Sequence, residues 1–212
     1  MAETAALPGL AARPSIEEAV FVRVLSDGVR AIEDAGIPYV LIGGVGSATL
    51  GRPRWTHDID VLVSPQDGER SLQALSGAGF VTERTNENWI YKATSDDVTV
   101  DLIFRLVGDI YLDDEMLAHA RRASFLGVEL TVAGAEDQIV VKAIANDEQS
   151  ARHWNDALSL ISSCEIDWDY LLERSSKGPR RVLSLLVYAQ SEDIVVPSGV
   201  VKRLFSAVYD DE

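Results

Sequence analysis

Residues 39–63 read YVLIGGVGSATLGRPRWTHDIDVLV, in which two apolar runs enclose a glycine-rich segment and a pair of aspartates. Tyr39–Ile42 predicts a short buried strand, Gly43–Gly46 a tight turn, and Ser47–Leu50 one helical turn. The second apolar run predicts a strand over His57–Val63. Charged residues are uncommon in buried strands, so this stretch is the first candidate for a functional site.

Asp58 and Asp60 are two residues apart and therefore project from one face of the predicted strand, while Ile59, Val61 and Val63 face the other way. Two carboxylates about 7 Å apart along a strand repel each other unless solvent or a cation lies between them. One interpretation is the exposed polar face of an edge strand. Leu62 follows on the same face and interrupts a polar stripe, which weakens that interpretation.

Asp101 stands within VTVDLIF, residues 98–104, a run that is otherwise apolar or β-branched. Burying an unpaired carboxylate costs several kcal/mol, so either a basic partner or a metal ion is expected to compensate it. Taken together with Asp58 and Asp60, a shared divalent cation accounts for all three carboxylates. Carboxylates without a Cys or His cluster favour a hard ion, Mg²⁺ or Mn²⁺.

Gly43, Gly44 and Gly46 follow a predicted strand and precede a short helix. Backbone N–H groups in such a turn can bind phosphate oxygens, assisted by the positive end of the helix dipole. The dinucleotide fingerprint fails because Thr49 stands where glycine or alanine is required, and the P-loop pattern fails because no Gly-Lys-Ser/Thr follows. Taken alone, the glycines are equally compatible with a structural turn.

The 212-residue chain carries 19 basic and 34 acidic residues, a net charge of −15. Proteins that bind the phosphate backbone of nucleic acids normally present a basic face, so this balance argues against broad nonspecific nucleic-acid binding. It leaves room for local basic patches. Three clusters stand out: Arg52 with Arg54, Arg121 with Arg122, and Lys177 with Arg180 and Arg181.

The composition, 47% hydrophobic and 25% charged, is that of an ordinary globular protein. Cys164 is the only cysteine, which fits a reducing compartment. The stretch MAETAALPGLAARPS lacks the apolar core of a signal peptide, and no apolar run reaches the roughly 18–20 residues of a membrane span. We therefore expect a soluble, cytoplasmic protein with no membrane partner.

The pattern along the chain predicts a flexible tail over 1–14, an α/β core over 15–132 and a helical C-terminal domain over 133–212. The core helices are expected from a Ser15 N-cap to Gly36 and from Ser64 to about Ser76. Further strands are predicted at Phe80–Arg84, Trp89–Thr94 and Val98–Phe104, with a hairpin turn over 95–97 between the last two, which gives a mixed sheet of about five strands.

The second half is expected to be mainly helical, interrupted by a small hairpin over 124–132 with Gly127 at its turn. The fold class is therefore α+β, a mixed sheet followed by a helical C-terminal half. The predicted helices are Tyr111–Arg121, Glu136–Ala145, Gln149–Ser162, Trp168–Ser176, Pro179–Gln190 and Pro197–Tyr209.

These elements together resemble the nucleotidyltransferase superfamily typified by DNA polymerase beta. The resemblance is carried by Gly43-Gly44, thirteen intervening residues, Asp58-Ile59-Asp60-Val61, and Asp101 on a later strand. The stretch from Arg54 to Asp60 also resembles the R-x-T-x-D-I-D form of the minimal nucleotidyltransferases. The resemblance spans residues 39–104 and implies a polymerase-beta-like fold that transfers a nucleoside monophosphate from an NTP to an acceptor hydroxyl, with Mg²⁺ or Mn²⁺.

The resemblance also implies roles for individual residues. Asp58, Asp60 and Asp101 would hold the metal and act in catalysis. Gly43, Gly44 and Ser47 would cradle the β- and γ-phosphates. Arg54 would contact phosphate or the acceptor, although a structural pair with a carboxylate explains it equally well.

The segments EDQIVVKAIA (136–145) and ARHWNDALSLI (151–161) resemble the helical part of AbiEii-type abortive-infection toxins and the related MenT toxins. The resemblance implies that Lys142 and Asp156 complete the nucleotide site and that Lys142 assists catalysis, with Arg152 in place of an upstream basic residue. It also implies a tRNA acceptor and a cognate antitoxin. Alternatively, Lys142 is a solvated helix lysine and Asp156 pairs with Arg152 at i,i+4.

The sequence is also compatible with other functions. The acceptor could be a protein or a small molecule such as an aminoglycoside, and the acidic balance favours these over tRNA. A non-catalytic nucleotide-binding partner in a toxin–antitoxin pair would keep the same fold. Such a structural module would not need three carboxylates, which argues against it.

Overall fold

A computed structural model of the chain describes residues 17–51, 54–147 and 152–210. The expected tail over 1–14, the Ser15 N-cap, Arg52 and the helix start at Gln149 lie outside these residues. The helices are α1 Glu18–Asp34, α2 Gly43–Leu50, α3 Gly68–Gly77, α4 Asp114–His119, α5 Ala135–Ala145, α6 Arg152–Ser163, α7 Trp168–Arg174, α8 Pro179–Ser191 and α9 Ser198–Tyr209. The strands are β1 Tyr39–Leu41, β2 Asp58–Val63, β3 Val81–Asn86, β4 Ile90–Ser95, β5 Val98–Ile103, β6 Arg121–Phe125 and β7 Val128–Val132.

The described strands form one mixed sheet of seven, in the order β3-β4-β5-β2-β1-β7-β6. Strand β2 runs parallel to β5 and antiparallel to β1, and β1 pairs in parallel with β7 through Leu41 and Val132. The expected α+β class and mixed sheet are confirmed. The 124–132 hairpin is longer than expected and, as β6 and β7, extends the sheet. Because β2 is internal, the interpretation of Asp58 and Asp60 as the polar face of an edge strand is wrong.

One face of the sheet packs against α1 and α3. The buried side of α1 consists of residues at helical spacing, Phe21, Val24, Leu25, Gly28, Val29 and Ile32. It shares a core with the odd-numbered residues of β2, including Ile59 and Val61. The alternation along β2 therefore turns the side chains of Asp58 and Asp60 to the opposite face.

The C-terminal helices cover that opposite face. Leu62 and Ile103 of the sheet share a core with Ile139 of α5, Leu160 of α6 and Leu183 of α8. Helix α5 is fixed from behind by α7, because the carboxylate of Asp137 accepts hydrogen bonds from Tyr170 Oη at 2.7 Å and Arg174 Nε at 2.6 Å. None of the described helices is both long and apolar enough to span a bilayer.

Three predicted elements differ from the structure. The hairpin turn expected over 95–97 is one residue shorter, because Ser95 pairs with Val98 and only Asp96 and Asp97 lie between the strands. The tight turn over Gly43–Gly46 is wrong: only Gly43 has a positive φ, of 63°, and the chain enters α2 there, with Gly46 N–H donating to the Ile42 carbonyl at 3.1 Å. The helix predicted over Tyr111–Arg121 is shorter. Asp113 caps it by accepting from Met116 N–H at 2.8 Å, and Arg121 already pairs with Val132 in the sheet.

Replacing a glycine by alanine should have opposite effects on stability at two positions in the helices. A Cβ at Gly28 would lie in ordinary contact, 3.6 Å from Phe80 and Val100, whereas a Cβ at Gly44 would lie 2.2 Å from Thr56 Oγ1. We expect Gly28→Ala to stabilise the fold by about 0.5–1 kcal/mol and Gly44→Ala to destabilise it by about 1–3 kcal/mol. Urea unfolding of both variants beside the wild type measures this, and a stable Gly44→Ala would contradict the close approach.

Candidate active site

Three aspartates from two neighbouring strands line one cavity of about 260 Å³. Asp58 and Asp60 lie on β2, and Asp101 lies on β5 directly opposite Asp60 in the parallel register. On the face of β2 that packs against the C-terminal helices, the first two side chains are carboxylates and the third is the buried Leu62. The structure therefore brings together the three carboxylates that the sequence singled out.

The N-terminus of α2 closes one side of this cavity. Gly43 and Gly44 line it, and a Cβ at Gly43 would lie 1.9 Å from Asp60 Oδ2. The Gly44 N–H favours the ionised form of the Asp60 carboxylate. The glycines are therefore needed to admit Asp60 to the helix N-terminus, where the dipole favours negative charge. From the sequence, the backbone of these glycines is expected only to bind phosphate.

The environment of Asp60 opposes its ionisation. Burial, together with the negative charges of Asp101 and Asp58, raises the pKa of Asp60 to about 6, against opposing effects from the Gly44 N–H and the Lys142 ammonium. Negative charge is thus concentrated in a poorly solvated place. A cation entering the cavity would relieve this repulsion.

Asp101 has a basic partner of its own. Lys92 Nζ lies 2.5 Å from Asp101 Oδ1, and the two residues are opposite each other in the β4–β5 register. The patterns in the sequence do not single out Lys92. The sequence predicts either a basic partner or a metal ion beside the charge of Asp101, and the structure contains the basic partner.

A second charged cluster forms the cationic wall of the cavity. Asp156 on α6 accepts from Arg54 Nε and Nη2, both at 2.8 Å, and from Lys142 Nζ of α5 at 2.9 Å. Burial opposes ionisation of Asp156, but the bonds from Arg54 and Lys142 outweigh it and hold the Asp156 pKa below its usual value. Burial lowers the pKa of Lys142, and Asp156 counteracts this.

The contacts in this cluster distinguish between the alternative roles considered for Lys142, Asp156 and Arg54. Only 4% of the Lys142 side chain is exposed, so Lys142 is not a solvated helix lysine. The partners of Asp156 are Arg54 and Lys142, and not Arg152 as in the i,i+4 alternative. Arg54 pairs with a carboxylate, which is the structural role considered for it, and it also lines the cavity.

Ser47 and Asp156 lie apart from the three-aspartate cavity. The hydroxyl of Ser47 is buried in α2, where it donates to the Gly43 carbonyl at 2.6 Å and lies 3.2 Å from Gln138 Oε1. Ser47, Asp156 and Arg54 line a neighbouring cavity of about 690 Å³. Arg54 is therefore the shared wall between the two cavities.

Among the described residues, four further polar side chains line the cavity. Thr56 and Arg152 belong to the motifs described above, whereas Gln138 and His153 have no role assigned by them. Nδ1 of His153 is buried without a hydrogen-bond partner among the described residues. Burial, with the nearby charges of Lys142 and Arg152, lowers the pKa of His153 and favours its neutral form.

The three aspartates fit a divalent metal by their donor chemistry, since hard cations prefer carboxylate oxygens. Their concentrated negative charge, expressed in the raised pKa of Asp60, also fits a cation. Within the described segments, however, no three His, Cys, Asp or Glu side chains already converge as a ready set of ligands. Holding a metal would therefore require the carboxylates to reorient, foremost that of Asp101, which is engaged by Lys92.

Solved structures share the fold at low sequence identity. ANT(2'')-Ia, an antibiotic-resistance factor, is 13% identical with a TM-score of 0.53, over 82% of this chain and 94% of that one. ANT(2'')-Ia in complex with adenylyl-2''-tobramycin is 15% identical with a TM-score of 0.51, over 81% and 98%. An antigenic nucleotidyltransferase-like protein from Paracoccidioides brasiliensis is 13% identical with a TM-score of 0.53, over 85% and 91%.

A sequence model of a family described as uncharacterised nucleotidyltransferase matches residues 22–190. No curated protein matches the sequence. The family match takes in the glycines of α2, both acidic strands and the helices that carry Lys142 and Asp156. The chain thus belongs to this family of nucleotidyltransferases.

Proposed function

We propose that the protein moves a nucleoside monophosphate from an NTP to an acceptor hydroxyl and releases pyrophosphate. The observation that carries this proposal is one cavity lined by Asp58, Asp60 and Asp101 on one side and by Lys142 on the other. Nucleotidyl transfer requires mainly positioning and compensation of negative charge. An acidic and a cationic wall facing each other suit an NTP whose phosphates lie between them.

Asp58, Asp60 and Asp101 would hold Mg²⁺ or Mn²⁺. A bound divalent ion would neutralise charge on the reacting phosphate and favour loss of the acceptor's proton. The Gly44 N–H favours the ionised form of Asp60, which is the form that binds a cation. Asp101, with 16% of its side chain exposed, would take the proton of the acceptor hydroxyl.

The triphosphate would lie against α2 and α5. Lys142 would supply a point charge to the phosphates, and Gly43 and Gly44 would approach them through the backbone. Asp156 would act by positioning Lys142 and Arg54, because its carboxylate binds both cations. A direct role for Ser47 would require its hydroxyl to leave the Gly43 carbonyl.

We propose tRNA as the first acceptor to test, with the protein acting as an AbiEii/MenT-like toxin that has a cognate antitoxin. Its support is the likeness of α5 and α6 to the helical segment of those toxins. An NTP substrate and a single cysteine fit a cytoplasmic location.

A small-molecule or protein acceptor is the second candidate. Its support is the net charge of −15, which disfavours a polyanion, and a fold shared with ANT(2'')-Ia, whose complex contains adenylyl-2''-tobramycin. Both acceptor classes use the same three aspartates. The chemistry at the NTP is therefore independent of this choice.

One labelling experiment separates these functions. Each α-³²P-labelled NTP is incubated with Mg²⁺ and the protein, in parallel with total tRNA, with extract protein and with an aminoglycoside. Label on one acceptor class identifies the substrate, and the Asp60→Ala variant should give none. Metal-dependent NTP binding with no label on any acceptor would favour the non-catalytic partner.

Asp60→Asn should abolish transfer while stabilising the metal-free fold. The folded pKa of Asp60 is about 6, above the unfolded value of 3.8, so wild-type stability falls as pH rises through that interval. In EDTA we expect the variant to gain up to about 3 kcal/mol above pH 7 and little near pH 4. Unfolding in urea at both pH values measures this.

Adding Mg²⁺ provides the control for that variant. The ion should raise the melting temperature of the wild type and leave Asp60→Asn unchanged. A variant that transfers label at the wild-type rate, or that is less stable at pH 8, would contradict the assignment of Asp60.

Lys142→Met and Asp156→Asn should separate catalysis from stability. Lys142→Met leaves Asp156 paired with Arg54, so we expect a small stability loss and a 10- to 100-fold loss of kcat/KM for NTP, on the order of 1.4–2.7 kcal/mol. Asp156→Asn leaves two cations without their counter-charge and should cost about 3 kcal/mol or more of stability. Urea unfolding and initial rates at varied NTP test both, and an unchanged kcat/KM in Lys142→Met would exclude its phosphate role.

A further inference from the structure

Three charged residues lie in one row across three adjacent strands. Lys92 on β4 is opposite Asp101 on β5, and Asp101 is opposite Asp60 on β2. The Lys92 ammonium contacts Asp101 Oδ1, so it approaches the acidic cluster from the side away from β2. It thus neutralises one of the three carboxylates that face the cavity.

The two lysines near the cavity differ in how firmly they are held. The Lys142–Asp156 pair is enclosed, with 4% and 9% of the side chains exposed, and Arg54 binds the same carboxylate. The Lys92–Asp101 pair is more open, with 36% and 16% exposed. Lys92 could therefore swing into solvent without leaving its charge buried, whereas Lys142 could not.

We infer that Lys92 is a stand-in counter-ion, which occupies Asp101 in the metal-free protein and is displaced when a divalent cation binds. This inference rests on the metal site of the proposed function. An ammonium on one oxygen of Asp101 and a divalent ion on the other would lie within several ångströms, where their repulsion in a partly buried site is substantial. Release of the solvent-accessible Lys92 relieves that repulsion.

Two simpler roles for Lys92 make different predictions. A cross-strand pair that only supports the sheet would affect stability and leave metal affinity unchanged. A support that holds Asp101 in place for the bound ion would make metal binding weaker when Lys92 is removed. Competition by Lys92 makes metal binding tighter when it is removed, so the direction of the change separates the three roles.

The test measures Mn²⁺ binding without nucleotide, by the loss of the free Mn²⁺ signal in electron paramagnetic resonance. Lys92→Met keeps an apolar stem of similar length and should lower the Mn²⁺ dissociation constant about 3- to 30-fold. Lys92→Arg restores the cation and should bind like the wild type. Arg105→Met is the matched control, because Arg105 follows β5 and its carboxylate partner is Asp109, at 3.7 Å.

An Asp101→Asn background completes the design. If Lys92 acts through Asp101, Lys92→Met should change Mn²⁺ affinity in the wild-type background and not in Asp101→Asn. Circular dichroism and melting curves confirm that each variant is folded at the temperature of the titration.

The possible results lead to distinct conclusions. Unchanged or weaker Mn²⁺ binding by folded Lys92→Met overturns the inference, and so does an equal gain in Arg105→Met, which would be a general charge effect. If Asp60→Asn abolishes Mn²⁺ binding in the same assay, the metal site stands even when the inference about Lys92 fails. If Asp60→Asn binds like the wild type, the proposed metal site itself fails.

Discussion

The site depends on burying the carboxylate of Asp60 against the start of α2. That contact requires glycine at 43, where a side chain would collide with the carboxylate, and the Gly44 N–H favours the ionised carboxylate there. It also requires β2 to be internal, so that Asp101 lies alongside in the parallel register. The fold holds negative charge where burial opposes it, so a cation in the cavity would relieve the repulsion.

The cationic side of the cavity comes from elsewhere in the chain. Arg54 precedes β2, whereas Lys142 and Asp156 belong to α5 and α6 of the helical half. The Asp156 carboxylate joins all three segments through its hydrogen bonds. Helix α5 is in turn fixed by the buried Asp137–Arg174 pair, so the position of Lys142 depends on residues well outside the cavity. The domain boundary expected near residue 132 stays a prediction. Residues from both sides of that boundary line the cavity.

Much of this arrangement is predictable from the sequence, because alternation along a strand fixes the face of Asp58 and Asp60, and a lone acid in an apolar run marks Asp101. Residue patterns do not reveal what the glycines contact or which cations Asp156 binds, since both depend on tertiary packing. The position of Lys92 shows how the length of a turn sets the register of the strands that it joins. The expected three-residue turn over 95–97 would place Tyr91 opposite Asp101, whereas the observed two-residue turn, with positive φ at Asp96 and Asp97, brings Lys92 there.

The shared carboxylate of Asp156 has a consequence for how tightly an NTP could be held. Long basic side chains normally lose about 2 kcal/mol of rotamer freedom when they become fixed on a ligand. Here Arg54 and Lys142 are already immobilised before any phosphate arrives. Their ordering cost belongs to folding rather than to binding, so the cavity is preorganised on its cationic side.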